Sequence, residues 1–236
     1  MGAVLEMKSG SNRAMAALLV AATLLASCGN DAVGTDYSAA AKGLIGLLKK
    51  DKSAAAPTLA SLDQQGIATL RGALEGDGQA ILLVVSPSLK YTNLMAPYGQ
   101  NGNVQTWAST QYETLSLRAG MLVATRGFGA DLMSSSGPDI AAIASGHGMT
   151  KRSYFYLDGG DHPRRFDYTC RLEPAGAEPV TVLGKVHSTR KVIEKCAGSA
   201  AAFTNEYWFE TGTNLRQSRQ MMTPGLANLL LQRVID

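Results

Sequence analysis

Cysteine and histidine are scarce in this sequence, with three of each among 236 residues. So few potential ligands exclude a scaffold built on many disulfides or metal ions. The sequence also lacks a Gly-x-Ser-x-Gly elbow, a Walker loop, a His-Glu-x-x-His motif and a Cys-x-x-Cys pair, and its histidines lack metal-ligand spacing. We therefore expect no metal and no other cofactor, identify no catalytic residue, and predict that the protein is not an enzyme.

A strong charge of one sign is also missing. Against 19 aspartates and glutamates stand 22 lysines and arginines, scattered along the chain, and the formal net charge is +3. This pattern excludes the basic footprint that is typical of a nucleic-acid partner. Hydrophobic residues make up 45% of the chain and charged residues 17%, which is enough apolar surface for a folded core.

An uncharged, mainly apolar stretch near the N-terminus, residues 14–26, follows the basic residues Lys8 and Arg13. A helix of this length rises only about 20 Å, which is too short for a bilayer core of about 30 Å but fits a signal peptide. The stretch ends in Leu-Ala-Ser-Cys, the pattern of a lipobox, with Cys28 as the residue to be acylated. We predict a signal peptide over residues 1–27 and a single domain over residues 28–236.

Acyl chains such as palmitate on Cys28 would hold the mature protein on a membrane, because each buried methylene adds about 0.8 kcal/mol of binding free energy. By resemblance to other lipoproteins, the residue after the cysteine influences sorting. Here that residue is Gly29, and the aspartate that retains many lipoproteins at the inner membrane is missing. We therefore expect a lipid-anchored protein at the periplasmic face of the outer membrane.

Apolar residues at three- and four-residue spacing predict an N-terminal amphipathic helix over residues 37–50. The conformation of residues 59–70 stays open, and after them the apolar pattern becomes that of strands. Asn101-Gly102 predicts a hairpin between residues 91–98 and 104–109. Further strand-like runs are residues 80–85, 114–118, 121–125, 153–157, 166–172, 180–188, 202–209 and 215–222.

These short strands, separated by turns rich in glycine, aspartate and proline, determine the fold class. We predict a mainly β fold, in which an antiparallel meander forms a sandwich or an open barrel. A short C-terminal helix over residues 225–235 is expected to close the domain.

Two loops superficially suggest ligand sites. Residues 127–131, Gly-Phe-Gly-Ala-Asp, lack the third glycine and the βαβ context of a phosphate cradle, so we interpret them as a turn. Residues 158–161, Asp-Gly-Gly-Asp, offer too few oxygens for calcium and also predict a hairpin turn. A pair of catalytic carboxylates for glycan cleavage stays open, since Glu113, Asp131, Asp139, Glu206 and Glu210 are available and nothing singles out one pair.

Aromatic residues at strand positions are the candidate contacts for a ligand. We select Trp107, Tyr207 and Trp208 as possible contacts with a glycan or a partner protein, although core packing explains such residues equally well. Tyr154, Tyr156 and Tyr168 belong to the same class.

Several stretches together resemble the YjbF family of lipoproteins, which includes the group 4 capsule lipoprotein GfcB. The most specific is Ala-Thr-Arg-Gly-Phe-Gly-Ala-Asp-Leu at residues 124–132, where the family commonly has leucine in place of Phe128. The others are residues 101–107, 117–123, 205–208 and 218–220 together with Pro224. The resemblance implies an outer-membrane lipoprotein encoded with exopolysaccharide or capsule export components, built mainly of antiparallel strands, with no established catalytic residues.

The function expected from this resemblance is that of a non-enzymatic accessory factor in polysaccharide export, which binds a glycan or a protein of the export machinery. Two alternatives remain. One is a periplasmic glycan-modifying enzyme with dispersed carboxylates, and the other is a lipid carrier with an apolar cavity, as half-open barrels offer such cavities.

Cys170 and Cys196 remain once Cys28 is acylated. The periplasm is oxidising, and both residues flank strand-like runs that an antiparallel sheet can place side by side. We therefore predict a disulfide between them.

Overall fold

The computed structural model of the protein describes residues 64–235. The predicted signal peptide, Cys28 and the predicted amphipathic helix over residues 37–50 lie outside the described residues. Within them, the first element is the helix α1, Gln64–Asp77, which includes residues 64–70 of the stretch whose conformation the sequence left open.

Antiparallel strands make up most of the described residues, so the mainly β, antiparallel part of the predicted fold class is confirmed. Twelve strands of this region form one sheet in the order β5-β4-β3-β2-β1-β14-β13-β12-β11-β8-β7-β6, while β9 and β10 form a separate hairpin. The strands are β1 Ile81–Ser86, β2 Tyr91–Asn101, β3 Val104–Ala108, β4 Thr114–Arg118, β5 Met121–Arg126, β6 Ser134–Ser136, β7 Gly148–Leu157, β8 Pro163–Ala177, β9 Val180–Val182, β10 Lys185–His187, β11 Arg190–Gly198, β12 Phe203–Phe209, β13 Leu215–Thr223 and β14 Ala227–Ile235.

The two edge strands of the large sheet, β5 and β6, lie in contact, so the sheet is a nearly closed barrel and not a sandwich. A side chain bridges this seam, since Ser135 Oγ of β6 donates a hydrogen bond to the carbonyl of Leu122 on β5 at 2.7 Å. The backbone N–H of Leu122 donates to Gln220 Oε1 of β13 at 2.9 Å. At Leu122, side chains thereby supply the hydrogen-bond partners that the backbone N–H and carbonyl of an edge strand would otherwise find on a neighbouring strand.

The first strand shows why its sequence is a continuous apolar run. Leu82 and Val84 belong to the main core inside the barrel, while Ile81 and Leu83 belong to a second cluster outside it. That outer cluster also holds Leu70 and Leu74 of α1, with Leu94. Both faces of β1 are therefore buried, one by the barrel interior and the other by the helix.

The predicted hairpin at Asn101-Gly102 is confirmed, with Gly102 at φ +57° between β2 and β3. The predicted C-terminal helix is wrong. Residues 227–235 are the strand β14, which pairs with β1 on one side and β13 on the other. A leucine-rich segment forms helices readily, but here it supplies the ladder partners that two neighbouring strands require, and tertiary context overrides the local preference.

A short helix that the sequence pattern did not reveal, α2 Ile140–Ser145, packs against the barrel. Its Ile143 and Ala144 lie in a core cluster with Leu172, Tyr207 and Phe209. Asp139 caps its start by accepting a hydrogen bond from Ala142 N–H at 2.7 Å, and Gly146 ends it in the left-handed conformation at φ +72°.

The segment that includes residues 127–131 forms a turn held by its own aspartate. Asp131 Oδ2 accepts from the N–H of Gly127 at 2.8 Å, and Oδ1 accepts from the N–H of Phe128 at 3.1 Å. The Thr125 hydroxyl donates to the same carboxylate at 2.8 Å. A carboxylate of the chain thus occupies the amide groups that a phosphate would need.

We expect Gly127→Val to lower the melting temperature by several degrees. Gly127 has φ +89°, a conformation that costs a β-branched residue about 1–3 kcal/mol, and a Cβ there would lie 3.3 Å from Glu113 Cα. Gly129→Val is the matched comparison, since Gly129 has φ +91° with no atom within 4 Å of its Cβ position. Thermal unfolding followed by circular dichroism should show a smaller loss for Gly129→Val, and an unchanged melting temperature for both variants would contradict an architectural role.

Candidate functional site

The main candidate site is a cavity of about 370 Å³ at one end of the barrel. It forms where β1, β3 and β13 begin and β4 and β14 end, because antiparallel neighbours bring starts and ends of strands to the same edge. The volume lies in the range of about 300–1,000 Å³ that is typical of ligand pockets. We call it the barrel-end cavity.

Apolar side chains make up one part of the cavity wall and polar ones the rest. Leu82, Leu117 and Leu231 come from the barrel core, and the half-buried Trp107 stands beside them. The polar lining residues include Gln105, Gln217, Ser218, Arg216 and Arg233. An apolar wall with a few fixed polar groups is the usual composition of a small-molecule site.

Arg216 is held in the cavity wall by a chain of polar contacts. Its Nη2 lies 2.8 Å from Glu210 Oε2, and the other carboxylate oxygen of Glu210 lies 2.7 Å from His187 Nδ1. Partial burial alone would raise the pKa of Glu210, but the hydrogen bonds and charges of Arg216 and His187 keep that pKa below its ordinary value. Glu210 is therefore a carboxylate that orients Arg216.

A second polar network lies deeper in the barrel, around the ion pair of Arg152 and Glu194. The side chains of these residues are 3% and 0% exposed, and Arg152 Nε lies 2.8 Å and 2.9 Å from the two carboxylate oxygens. Asn205 Nδ2 and the Tyr207 hydroxyl each donate to Glu194 Oε2 at 2.9 Å, while Arg152 Nη2 donates to the Tyr207 oxygen at 2.9 Å. Each of these four side chains therefore has at least one hydrogen-bond partner within the network.

Burial and charge act in opposite directions on the pKa of Glu194. Burial tends to raise the pKa of Glu194, yet the Arg152 guanidinium and the hydrogen bonds from Arg152, Asn205 and Tyr207 keep that pKa below its ordinary value. Burial raises the pKa of Tyr207 well above its ordinary value, so its hydroxyl keeps the proton that it donates to Glu194. Glu194 is thus an ionised, fully paired carboxylate.

The three aromatic candidates do not come together. Trp107 lines the barrel-end cavity. Tyr207, 0% exposed, is part of the Arg152–Glu194 network. Trp208, 2% exposed, packs with Val180 and Val182 of the β9–β10 hairpin and donates from Nε1 to Glu178 at 2.9 Å. The rings of Tyr207 and Trp208 are enclosed by the fold, so only Trp107 remains a candidate ligand contact.

The acidic residues that a hydrolase would need are also dispersed. Glu113 contacts Ser109 and Tyr91, Asp131 holds the turn at Gly127, and Asp139 caps α2. Glu206 pairs with Lys191 and Arg219, and Glu210 with Arg216. Among the described residues, none of these five acids lines the barrel-end cavity.

Cys170 and Cys196 form a disulfide, which confirms the predicted pairing. They occupy directly opposed positions on β8 and β11, with 4.0 Å between their Cα atoms. Glu194 lies near both sulfurs, a grouping that would suit a metal ion if the thiols were free. Because the two sulfurs are bonded to each other, these cysteines supply no thiolate ligand.

A small cavity of about 160 Å³ adjoins the barrel-end cavity, with which it shares Asn103, Ala119 and Ile140. It lies along the seam between β5 and β6, and its lining includes Leu122, Ser135, Gly137 and Arg152. We call it the seam cavity.

Sequence reasoning identified Trp107 but missed Arg152, Glu194 and the arginines of the barrel-end cavity. One signal for Glu194 was present: it stands at an inward-facing position between Val192 and Cys196 on β11, where alternation predicts an apolar residue. The helices that the structure describes include none long and apolar enough to span a membrane.

Comparison with known proteins gives a family match over most of the chain. The model of the family described as "Group 4 capsule polysaccharide lipoprotein gfcB, YjbF" matches residues 57–234. No curated protein sequence matches.

Among solved structures, the hypothetical lipoprotein YmcC from Escherichia coli matches with a TM-score of 0.60 and 16% identity, over 74% of this chain and 98% of YmcC. A protein from Bacteroides fragilis with a YmcC-like fold matches with a TM-score of 0.34 and 10% identity, over 66% and 93% of the two chains. At this level of identity, the YmcC match establishes similarity of fold.

Proposed function

The chain belongs to the YjbF family of group 4 capsule polysaccharide lipoproteins, and we propose that it is a non-enzymatic accessory factor in capsule or exopolysaccharide export. In this proposal Cys28 anchors it to the periplasmic face of the outer membrane. The glycan then binds in the barrel-end cavity, where the protein holds the polymer for the export machinery.

The observation that carries the proposal is the position of Trp107 in that cavity. A sugar ring has apolar C–H faces and a rim of hydroxyl groups, so it needs a flat aromatic surface next to hydrogen-bonding side chains. Trp107 supplies the surface, and Gln105, Ser218 and Gln217 line the same cavity with polar groups.

The two alternative functions have less support. A lipid chain would place hydrocarbon against the polar side chains of the wall, such as Arg216 and Gln105, and removing these groups from water is costly. A glycan hydrolase would need a pair of carboxylates at the site, whereas each acid considered above is engaged in a structural contact.

We expect Trp107→Ala to impair the function strongly while leaving the protein folded and membrane-bound. The loss of stacking area should weaken glycan binding about 10-fold, and surface polysaccharide should fall toward the amount in a strain that lacks the gene. The test is complementation of that strain with the variant, with surface polymer quantified and membrane-bound protein measured by immunoblot.

Tyr112→Ala is the matched control, because Tyr112 is an aromatic residue that is 80% exposed and does not line the cavity. It should restore surface polymer fully. Full restoration by Trp107→Ala would contradict the proposed site, and a change in polymer length with unchanged amount would favour the enzyme.

A further inference from the structure

We propose that the rim of the barrel opposite the barrel-end cavity contacts a lipid bilayer, inserts Leu89, Tyr112 and Leu226 among the headgroups and points the cavity away from the membrane. This surface, the apolar rim, consists of the turns at residues 87–90, 109–113 and 224–226. The inference rests on the lipid anchor of the proposed function, and it adds the orientation of the barrel on the membrane.

The topology places the three turns side by side. They connect β1 with β2, β3 with β4 and β13 with β14, and these six strands are consecutive in the sheet, in the order β4-β3-β2-β1-β14-β13. Since neighbouring strands lie about 4.8 Å apart, neighbouring turns are about 10 Å apart. Each turn follows a strand that begins at the barrel-end cavity, so all three lie at the other end of the barrel.

Contacts between the turns agree with this arrangement. Pro87 of the first turn and Leu226 of the third line the same surface groove, so these two turns adjoin. Tyr91 directly follows the first turn, and its hydroxyl donates a hydrogen bond to Glu113 Oε2 of the second turn at 3.3 Å. The three turns therefore form one continuous stretch of the rim.

Each turn presents one large apolar side chain to solvent. Leu89, Tyr112 and Leu226 are all exposed, whereas most large apolar side chains of the described residues are buried. A single exposed leucine is ordinary on a protein surface. Three such side chains on neighbouring turns are typical of an interaction surface.

The spacing of these side chains favours a bilayer over a flat protein partner. They stand on separate turns, with exposed polar residues such as Ser88 and Gln111 beside them. In the interfacial region of a bilayer, apolar side chains reach the acyl chains while polar groups stay among hydrated headgroups. Tyr112 suits this region because its ring is apolar and its hydroxyl is polar.

The charges of the rim suit a surface that contains anionic lipids. Lys90 of the first turn is exposed, so its ammonium group can pair with lipid phosphates. Glu113, the acidic residue of these turns, accepts hydrogen bonds from the hydroxyls of Ser109 and Tyr91. The acidic turn at residues 158–161 connects β7 with β8 and belongs to another part of the rim.

The predicted anchor permits this orientation but does not impose it. Residues 29–63 join Cys28 to α1, and a fully extended chain of this length spans at most about 120 Å. A six-residue strand such as β1 is only about 20 Å long, so the anchor lets either end of the barrel reach the membrane. The exposed apolar side chains then decide which end faces the lipids.

The test places a fluorophore on the apolar rim of the full-length lipidated protein. Leu226→Cys supplies a single reactive thiol, because Cys28 is acylated and Cys170 is bonded to Cys196. The labelled protein is transferred from detergent onto preformed vesicles of phosphatidylethanolamine and phosphatidylglycerol. Quenching is then measured with spin-labelled lipids, which report on contact with the bilayer, and with iodide, which reports on exposure to water.

Val186→Cys is the matched control, because Val186 is 68% exposed and Leu226 is 66% exposed. The neighbouring His187 contacts Glu210, which lies between β12 and β13 at the cavity end of the barrel. We expect spin-labelled lipids to quench the label at residue 226 several-fold more strongly than the label at residue 186, and iodide to show the reverse order. Equal quenching of the two labels, or stronger lipid quenching at residue 186, would overturn the orientation.

A second measurement removes the other two apolar side chains of the rim. Leu89→Ser with Tyr112→Ser, in the protein labelled at residue 226, should lower lipid quenching toward the value at residue 186, since less apolar surface enters the bilayer. Both side chains are exposed, so the melting temperature should stay unchanged. Lipid quenching that this variant leaves intact would contradict the proposal.

Tyr112→Ala alone keeps Leu89, Leu226 and the lipid anchor, so it remains a control for glycan binding.

The outcomes separate the inference from the proposed function. Protein that floats with the vesicles but shows no preferential lipid quenching at residue 226 would overturn the apolar rim alone. Protection of this residue from iodide without lipid quenching would show that a second copy of the chain covers the rim, which also overturns the lipid contact. Protein that does not float with the vesicles would refute the lipid anchor of the proposed function and, with it, the inference.

Discussion

Replacing Arg152 by alanine should lower the free energy of unfolding by about 3–5 kcal/mol, because it leaves Glu194 charged and without its ion-pair partner inside the barrel. The loss should appear as a shift of the urea midpoint in equilibrium unfolding. Removing one partner of a buried pair costs more than the pair contributes, since the remaining ion stays out of water without compensation.

The matched control is Arg165→Ala. Arg165 Nε lies 2.8 Å from Asp167 Oδ1, the same distance as in the buried pair, but these side chains are 60% and 58% exposed. Solvent replaces the lost contact, so the urea midpoint should barely change. Equal losses for both variants would contradict the account of the buried network.

The double variant Arg152→Met with Glu194→Leu gives an internal check. With both charges absent, no ion remains buried and unpaired, so this variant should be more stable than either single replacement. Additive losses would contradict this explanation.

Glu194 also makes stability depend on pH in a direction that the structure determines. Its folded-state pKa lies below the ordinary value of 4.5, so in acid the unfolded chain takes up the proton first. The stabilisation is fully present above about pH 4.5 and is lost as the pH falls through the folded-state pKa. Glu194→Gln should be less stable near neutral pH and should show a flatter pH dependence, measured by urea unfolding at a series of pH values.

Removing the disulfide is the second change with a large expected effect. Cys170 and Cys196 are separated by 26 residues, and the chain-entropy argument gives about 3.5 kcal/mol for a loop of that size. The double variant Cys170→Ala with Cys196→Ala should therefore unfold at a clearly lower urea concentration. Because the cysteines are 0% and 2% exposed, alanine leaves small gaps but buries no hydroxyl group.

Thiol counting tests the bond directly. Mature protein that is denatured without reductant should show no reactive thiol at Cys170 or Cys196, and reduction should release two. Two reactive thiols per chain before reduction would refute the bridge.

Local signals in the sequence were sufficient to predict much of the sheet. The Asn101-Gly102 turn and the alternating segment before Ala119-Gly120 carry their structure within a few residues, so β2 to β5 were predictable. Strand β14 was not, because its helix-like leucine run becomes a strand only through pairing with β1, which lies far away in the sequence.

The site was harder to predict than the fold for a related reason. The barrel-end cavity gathers residues from strands at both ends of the described chain, such as Leu82, Trp107 and Arg233. Glu194 was overlooked because a carboxylate in a strand suggests an exposed face, and only its contact with Arg152 explains its burial. Trp107 could be selected by residue type, but nothing local separated it from Trp208, which supports the outer hairpin.

The central claim is that Trp107 contacts a glycan in the barrel-end cavity, and its own fluorescence reports on this directly. The chain has two tryptophans, so Trp208→Phe leaves Trp107 as the single emitter. Titration of this full-length variant in detergent with oligosaccharides of the strain's surface polymer should change the emission of Trp107 in a saturable way. Emission that stays constant throughout the titration, while the same oligosaccharides bind by calorimetry, would contradict the claim.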